Sequence, residues 1–100
     1  MSVNIEKSGT KTVVHIEGDF DLDKTEEVRE AVSKAIDESE LVHLNMSKVT
    51  YMDSSGVSVL IESNQKAEEL SKGFVLESVS ESVDSVLKMA KLDSFFKFSK

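Results

Sequence analysis

Leu41-Val42-His43-Leu44-Asn45-Met46-Ser47-Lys48-Val49-Thr50-Tyr51-Met52-Asp53-Ser54-Ser55-Gly56-Val57-Ser58-Val59-Leu60-Ile61 is the stretch that decides the fold of this chain. Its first part has a period of two, with Val42, Leu44 and Met46 on one side of an extended segment that runs on through Ser47-Lys48 to Val49-Thr50-Tyr51-Met52. Its last part has a helical period, and Val57, Leu60, Ile61, Asn64 and Ala67 form one stripe. The period changes abruptly at Asp53-Ser54-Ser55-Gly56. A strand that turns at once into a helix is the first half of a crossover between parallel strands. Lys72-Gly73 predicts the end of that helix, with a basic last turn and a glycine just past it. Phe74-Val75-Leu76 then reads as the next strand.

The same reasoning extends outward. Val3 to Lys7 and Lys11 to Glu17 read as a hairpin across Ser8-Gly9-Thr10, with Gly9 in the left-handed turn position. Gly18 breaks the second strand, and Asp19-Phe20-Asp21 is a short link. Asp23, with Glu26 three residues later, predicts the start of a helix. Its buried face is Val28, Ala31, Val32, Ala35 and Ile36, while Glu26, Glu27, Arg29, Glu30 and Lys34 form a solvated one. Towards the other end, Ser78 or Ser80 caps a third helix with Val83, Val86, Leu87 and Ala90 inward. Phe95, Phe96 and Phe98 close the chain as a strand or a docked tail. The predicted architecture is one α/β domain over residues 1–100, in the order β-β-α-β-α-β-α. The helices pack on a mixed sheet of four to five strands.

Composition removes several classes of function. The net charge is −7 with no basic cluster, a poor match to nucleic acid or to an anionic membrane surface. There is no cysteine, so disulfides, thiolate metal sites and cysteine nucleophiles are out. Met1-Ser2-Val3-Asn4-Ile5-Glu6 lacks a basic start followed by an apolar run, and no segment is apolar enough to cross a membrane. The expectation is a cytoplasmic protein without membrane insertion. Asn45-Met46-Ser47 matches a glycosylation acceptor but falls inside a strand-like run, and is read as chance.

The motifs for catalysis and cofactors are missing too. Gly9, Gly18, Gly56 and Gly73 form no phosphate-cradling pattern. His15 and His43 lie in separate strands without metal-ligand spacing and read as strand-face residues. Asp19, Asp21 and Asp23 have the alternation of a calcium loop but lack its glycine and closing glutamate. A serine at a strand-to-helix turn is where hydrolases place a nucleophile, but the pattern here is M-D-S-S-G, not G-x-S-x-G. The expectation is no enzyme, no cofactor and no metal.

That leaves the tetrad. Aspartate and serine are preferred helix caps, which accounts for one or two of its polar residues. Gly56 goes beyond capping, because glycine inside a helix costs about 1 kcal/mol relative to alanine. It predicts close approach by another backbone or molecule. From residue types alone, capping and a functional turn stand level. Val59 lies roughly 160° from the centre of the apolar stripe at about 100° per residue, and is expected to face outward, as an ordinary exposed valine or as part of a docking surface.

The chain resembles the STAS domains, and within them the stand-alone bacterial anti-sigma factor antagonists. The resemblance rests on Gly18-Asp19-Phe20-Asp21, on the Val49 to Val57 block, and on Val83-Asp84-Ser85-Val86-Leu87-Lys88-Met89-Ala90-Lys91-Leu92-Asp93-Ser94-Phe95-Phe96. It implies that Ser54 is a phosphorylation site, with Asp21 nearby. With the residues singled out above, the expected partner surface is Asp21, Asp53, Ser54, Ser55, Gly56 and Val59. In such a switch in transcription regulation, the unphosphorylated antagonist binds an anti-sigma factor with serine kinase activity and so frees a sigma factor. Phosphorylation ends the interaction, and a serine phosphatase restores it. Two departures are Ser58, where many relatives have glycine or alanine, and Gly-Asp-Phe-Asp in place of Gly-Glu-Leu-Asp. A phosphate on Ser54 would accept bonds from free N–H groups of the first helical turn, so the modification should act on the interface and spare the fold. The alternatives are an accessory STAS subunit of a membrane transporter, which need not be phosphorylated, and a small-molecule or nucleotide sensor.

Overall fold

Period-two alternation builds the centre of the molecule, and the computed structural model describes it over residues 2–99. Strands β1 (Ser2–Ser8) and β2 (Lys11–Phe20) form the antiparallel hairpin. Gly9 sits in its turn with φ +61°, a conformation open to glycine without steric cost. Strands β3 (Leu41–Met52), β4 (Gly73–Glu77) and β5 (Lys97–Ser99) follow, each parallel to the one before. The result is a five-stranded mixed sheet in the order β1-β2-β3-β4-β5.

Three helices make the crossovers: α1 (Thr25–Glu38), α2 (Ser54–Glu69) and α3 (Glu81–Met89). Every crossover steps in the same direction along the sheet. Because such connections are right-handed, all three helices fall on one face. Burial follows: Val14, Ile16, Val42, Leu44, Met46, Phe74 and Leu76 are covered, and together with Val28, Val32, Ile36, Leu60, Val83 and Leu87 they make the core. Alternate strand residues lie on the other, open face and are half-buried. There His43 Nδ1 is 2.8 Å from Glu77 Oε1, and Asn45 Nδ2 donates to Glu77 Oε2 at 3.0 Å. His15 Nε2 is 2.9 Å from Glu6 Oε1. Both histidines are thus strand-face residues paired with a carboxylate.

Helix ends differ from expectation in two places. Asp23 does not cap α1. Asp21 takes the capping role earlier, accepting the Asp23 N–H at 3.1 Å at the start of a short 3₁₀ turn, Leu22–Lys24. α1 then grows out of that turn without a side-chain cap, and Thr25 Oγ1 donates to the Leu22 carbonyl at 3.0 Å. At the far end of α2 the left-handed residue is Ser71 (φ 57°), not Gly73. The Lys72 N–H closes the turn onto the Ala67 carbonyl at 2.8 Å. Gly73 already belongs to β4, where a β-carbon would stand 2.6 Å from Leu41 Cδ1. The Lys72 ammonium serves a different helix, donating to the Ile36 and Asp37 carbonyls at the end of α1 at 2.6 and 3.1 Å. Ser80 caps α3, accepting the Val83 N–H at 3.2 Å. Of the three terminal phenylalanines, Phe96 is buried and Phe98 lies in β5.

Candidate functional site

Phe20 and Met52 are partners in register at the ends of β2 and β3. Asp53 follows, still extended (φ −110°, ψ −173°), and α2 begins at the next residue. Asp53 Oδ1 accepts the N–H of Ser55 at 3.0 Å and that of Gly56 at 3.4 Å, and the Ser55 hydroxyl donates to the same oxygen. The Leu22 N–H, in the turn after β2, also acts on this carboxylate. These donors hold the Asp53 carboxyl below the usual range, the Ser55 hydroxyl most strongly and the backbone N–H groups of Gly56, Ser55 and Leu22 after it. Asp53 therefore caps α2, next to the turn after β2.

Ser54 is left out of this network. It is exposed at the first position of α2, and no group among the described residues bonds its hydroxyl. One turn on, Ser58 Oγ folds back to donate to the Ser54 carbonyl at 3.1 Å. An open, mainly apolar groove starts at Ser54 and runs between α2 and α3, lined by Ser54, Val57, Ser58, Val86, Met89 and Ala90. Met89 is 85% exposed on its rim, and Leu22, in the turn next to Asp53, is 71% exposed. The groove carries no cation to hold an anion, and among the described residues no three His, Asp or Glu side chains group as a metal site.

Gly56 is buried under this turn. A β-carbon there would lie 2.7 Å from Met52 Cγ and 3.1 Å from the Phe20 carbonyl oxygen. The close approach predicted for this glycine is real, but the neighbour is the chain's own β2–β3 end. Gly56 has no surface to offer a partner, which corrects its place in the expected partner surface.

The STAS domain profile matches residues 2–100. This chain belongs to the STAS domain family. Several solved structures share its fold. The unphosphorylated form of the anti-sigma factor antagonist SpoIIAA is 22% identical over 99% of this chain and 89% of that one, with a TM-score of 0.82. The phosphorylated form of SpoIIAA, a Bacillus cell fate determinant, is 20% identical over 99% and 92%, with a TM-score of 0.77. A serine-to-glutamate variant of RsbS from Moorella thermoacetica is 25% identical over 99% and 86%, with a TM-score of 0.81. Among the described residues, no helix of this STAS domain is long and apolar enough to cross a membrane.

Within the STAS fold the expected site residues divide. Asp53, Ser54 and Ser55 lie together at the start of α2, and Asp21 caps the turn whose Leu22 N–H reaches Asp53. Val59 does not face outward: it is fully buried. The side of α2 that carries it faces α1 through polar pairs. Arg29 Nε donates to Glu62 at 3.0 Å, and Lys66 Nζ meets Ser33 Oγ at 2.6 Å and Asp37 Oδ1 at 2.9 Å. An apolar stripe alone underestimates how wide a face this helix buries. The expectation of free N–H groups for a phosphate is also corrected. The Ser55 and Gly56 N–H groups are already bonded to Asp53, so an anion on Ser54 would stand beside an ionised carboxylate. Sequence reasoning missed Leu22 and Met89. The signal was there: Leu22 is an apolar residue inside an acidic run, and Met89 falls off the inward stripe of α3.

Proposed function

We propose that this STAS domain is an anti-sigma factor antagonist whose binding is switched off by phosphorylation of Ser54. One observation carries the reading. Capping of α2 is done by Asp53 with Ser55, while Ser54 presents an unbonded hydroxyl at the mouth of an apolar groove. A side chain with no structural task, at a helix start beside an apolar surface, suits a residue that another protein's kinase modifies. Unphosphorylated, the groove and the exposed Leu22 and Met89 dock on an anti-sigma factor with serine kinase activity in the cytoplasm, which releases a sigma factor. Phosphorylation adds about −1.5 to −2 charges at neutral pH. Close to Asp53, in a groove whose lining offers no cation, burying that charge against the partner is unfavourable. A loss of about 1.4 kcal/mol in binding is already a tenfold drop in affinity. A serine phosphatase resets the switch.

The test is to incubate the protein with its cognate kinase and ATP, and to locate the phosphate by mass spectrometry. Phosphate on Ser54 is expected. An active kinase that leaves Ser54 unmodified refutes the site. In parallel, Ser54→Asp should bind the kinase at least tenfold more weakly while its circular dichroism and melting temperature stay those of the wild type.

A further inference from the structure

We infer that β1 is the contact strand of a symmetric dimer, pairing antiparallel with β1 of a second copy of this chain about a two-fold axis at Ile5. β1 is an edge strand: β2 satisfies one side of it, and among the described residues no strand pairs with the other side. It runs seven residues, Ser2–Ser8, in unbroken register with β2. Soluble proteins blunt such edges with proline, bulges, outward lysines or very short strands. β1 has no proline and no bulge, and its one lysine is drawn aside to Glu38 at 2.7 Å. The opposite edge, β5, is only three residues long, so it does not compete as a template.

The side chains of β1 favour a copy of itself. Ile5 stands opposite Val14 on the helix-covered face, yet it is 48% exposed. With Ala31 and Ala35 of α1 it floors an open groove whose rim is Lys7, Lys34 and Glu38, carrying both signs of charge. An axis at Ile5 uses all seven residues. It sets Ile5 against Ile5, Val3 against Lys7, Asn4 against Glu6 and Ser2 against Ser8. No like charges meet, and cross-strand apolar pairs are favourable. An axis at Glu6 or at Lys7 would oppose two like charges instead. Such a self-complementary contact closes after two copies and does not grow into a fibre. None of the β1 contact residues belongs to the Ser54 groove, so the dimer leaves that groove open on both copies.

Sedimentation velocity of the full chain across a dilution series, down to micromolar, tests this. A concentration-dependent dimer is expected. Ile5→Lys, which places two ammonium groups at the axis, should weaken it tenfold or more, with folding checked by circular dichroism. Because the chain has no cysteine, Ile5→Cys carries a single thiol. Mild oxidation should link two copies through it, whereas Ser2→Cys should not self-link. A wild type that stays monomeric throughout overturns the inference. So does a dimer that Ile5→Lys leaves intact, or one in which Ile5→Cys does not cross-link.

Discussion

The Phe20 carbonyl and Gly56 pack so closely that a β-carbon at residue 56 would lie 3.1 Å from the Phe20 oxygen. This contact locks the end of β2 to the first turn of α2, and with it sets where Ser54 stands. Gly56→Ala gains about 1 kcal/mol of helix propensity. Against that, Met52 Cγ at 2.7 Å and a backbone oxygen must both give way, and overpacking of this kind costs about 1–3 kcal/mol. The net expectation is a loss of stability, read as a lower urea midpoint with an unchanged slope. A more stable variant would show that the turn is looser than the contact implies.

Asp53 is the hub of the same turn. Asp53→Ala removes the acceptor for two first-turn N–H groups and for the Ser55 hydroxyl. Loss of an aspartate cap costs about 0.5–2 kcal/mol, and here the upper end is expected because one carboxylate serves two N–H groups and a hydroxyl. Amide hydrogen exchange should rise at Ser55 and Gly56 together. Unchanged exchange at both would show that the carboxylate does not hold the first turn of α2.

Much of this fold was legible in the sequence. The switch from period two to helical period at Asp53 places the strand, the helix and the exposed serine, because burial on one face imposes those periods directly. Three features were not legible, for a shared physical reason: competition among similar side chains is settled by tertiary geometry. Asp21, Asp23 and Asp53 are all good caps, and only the path of the chain decides that Asp21 and Asp53 bond while Asp23 does not. Val59 was read as outward because α1 meets that side of α2 through Glu62, Ser63 and Lys66, which look solvated in a one-dimensional pattern. Met89 and Leu22 join the site only through space, across elements far apart in the chain.

Acid should weaken the fold through two carboxylates. Glu77 is held below its usual range chiefly by its hydrogen bond to His43, with Asn45 adding, and Asp53 by the Ser55 hydroxyl and the backbone N–H groups. A folded pKa below the unfolded one means stability that is fully present above the unfolded carboxylate range and is lost as pH falls through it. Urea midpoints should therefore drop as pH falls below about 4, where carboxylates of unfolded chains titrate. In Glu77→Gln the drop should be shallower. An equally steep decline in that variant would assign the acid sensitivity elsewhere.

Met89 offers a separation of binding from folding. It is 85% exposed on the rim of the groove that starts at Ser54, so it contributes little to the core. Met89→Asp should leave the unfolding free energy within about 0.5 kcal/mol of wild type, as surface substitutions usually do. If the groove docks the kinase, that carboxylate must be desolvated against an apolar surface, which is costly without a partner. Binding measured by calorimetry should fall tenfold or more, and phosphorylation of Ser54 should slow with it. Met89→Leu keeps the apolar rim and should retain both. Wild-type affinity in Met89→Asp would move the docking surface away from the α2–α3 groove and onto the Leu22 side of Ser54, where Leu22→Asp would then be the variant that loses binding.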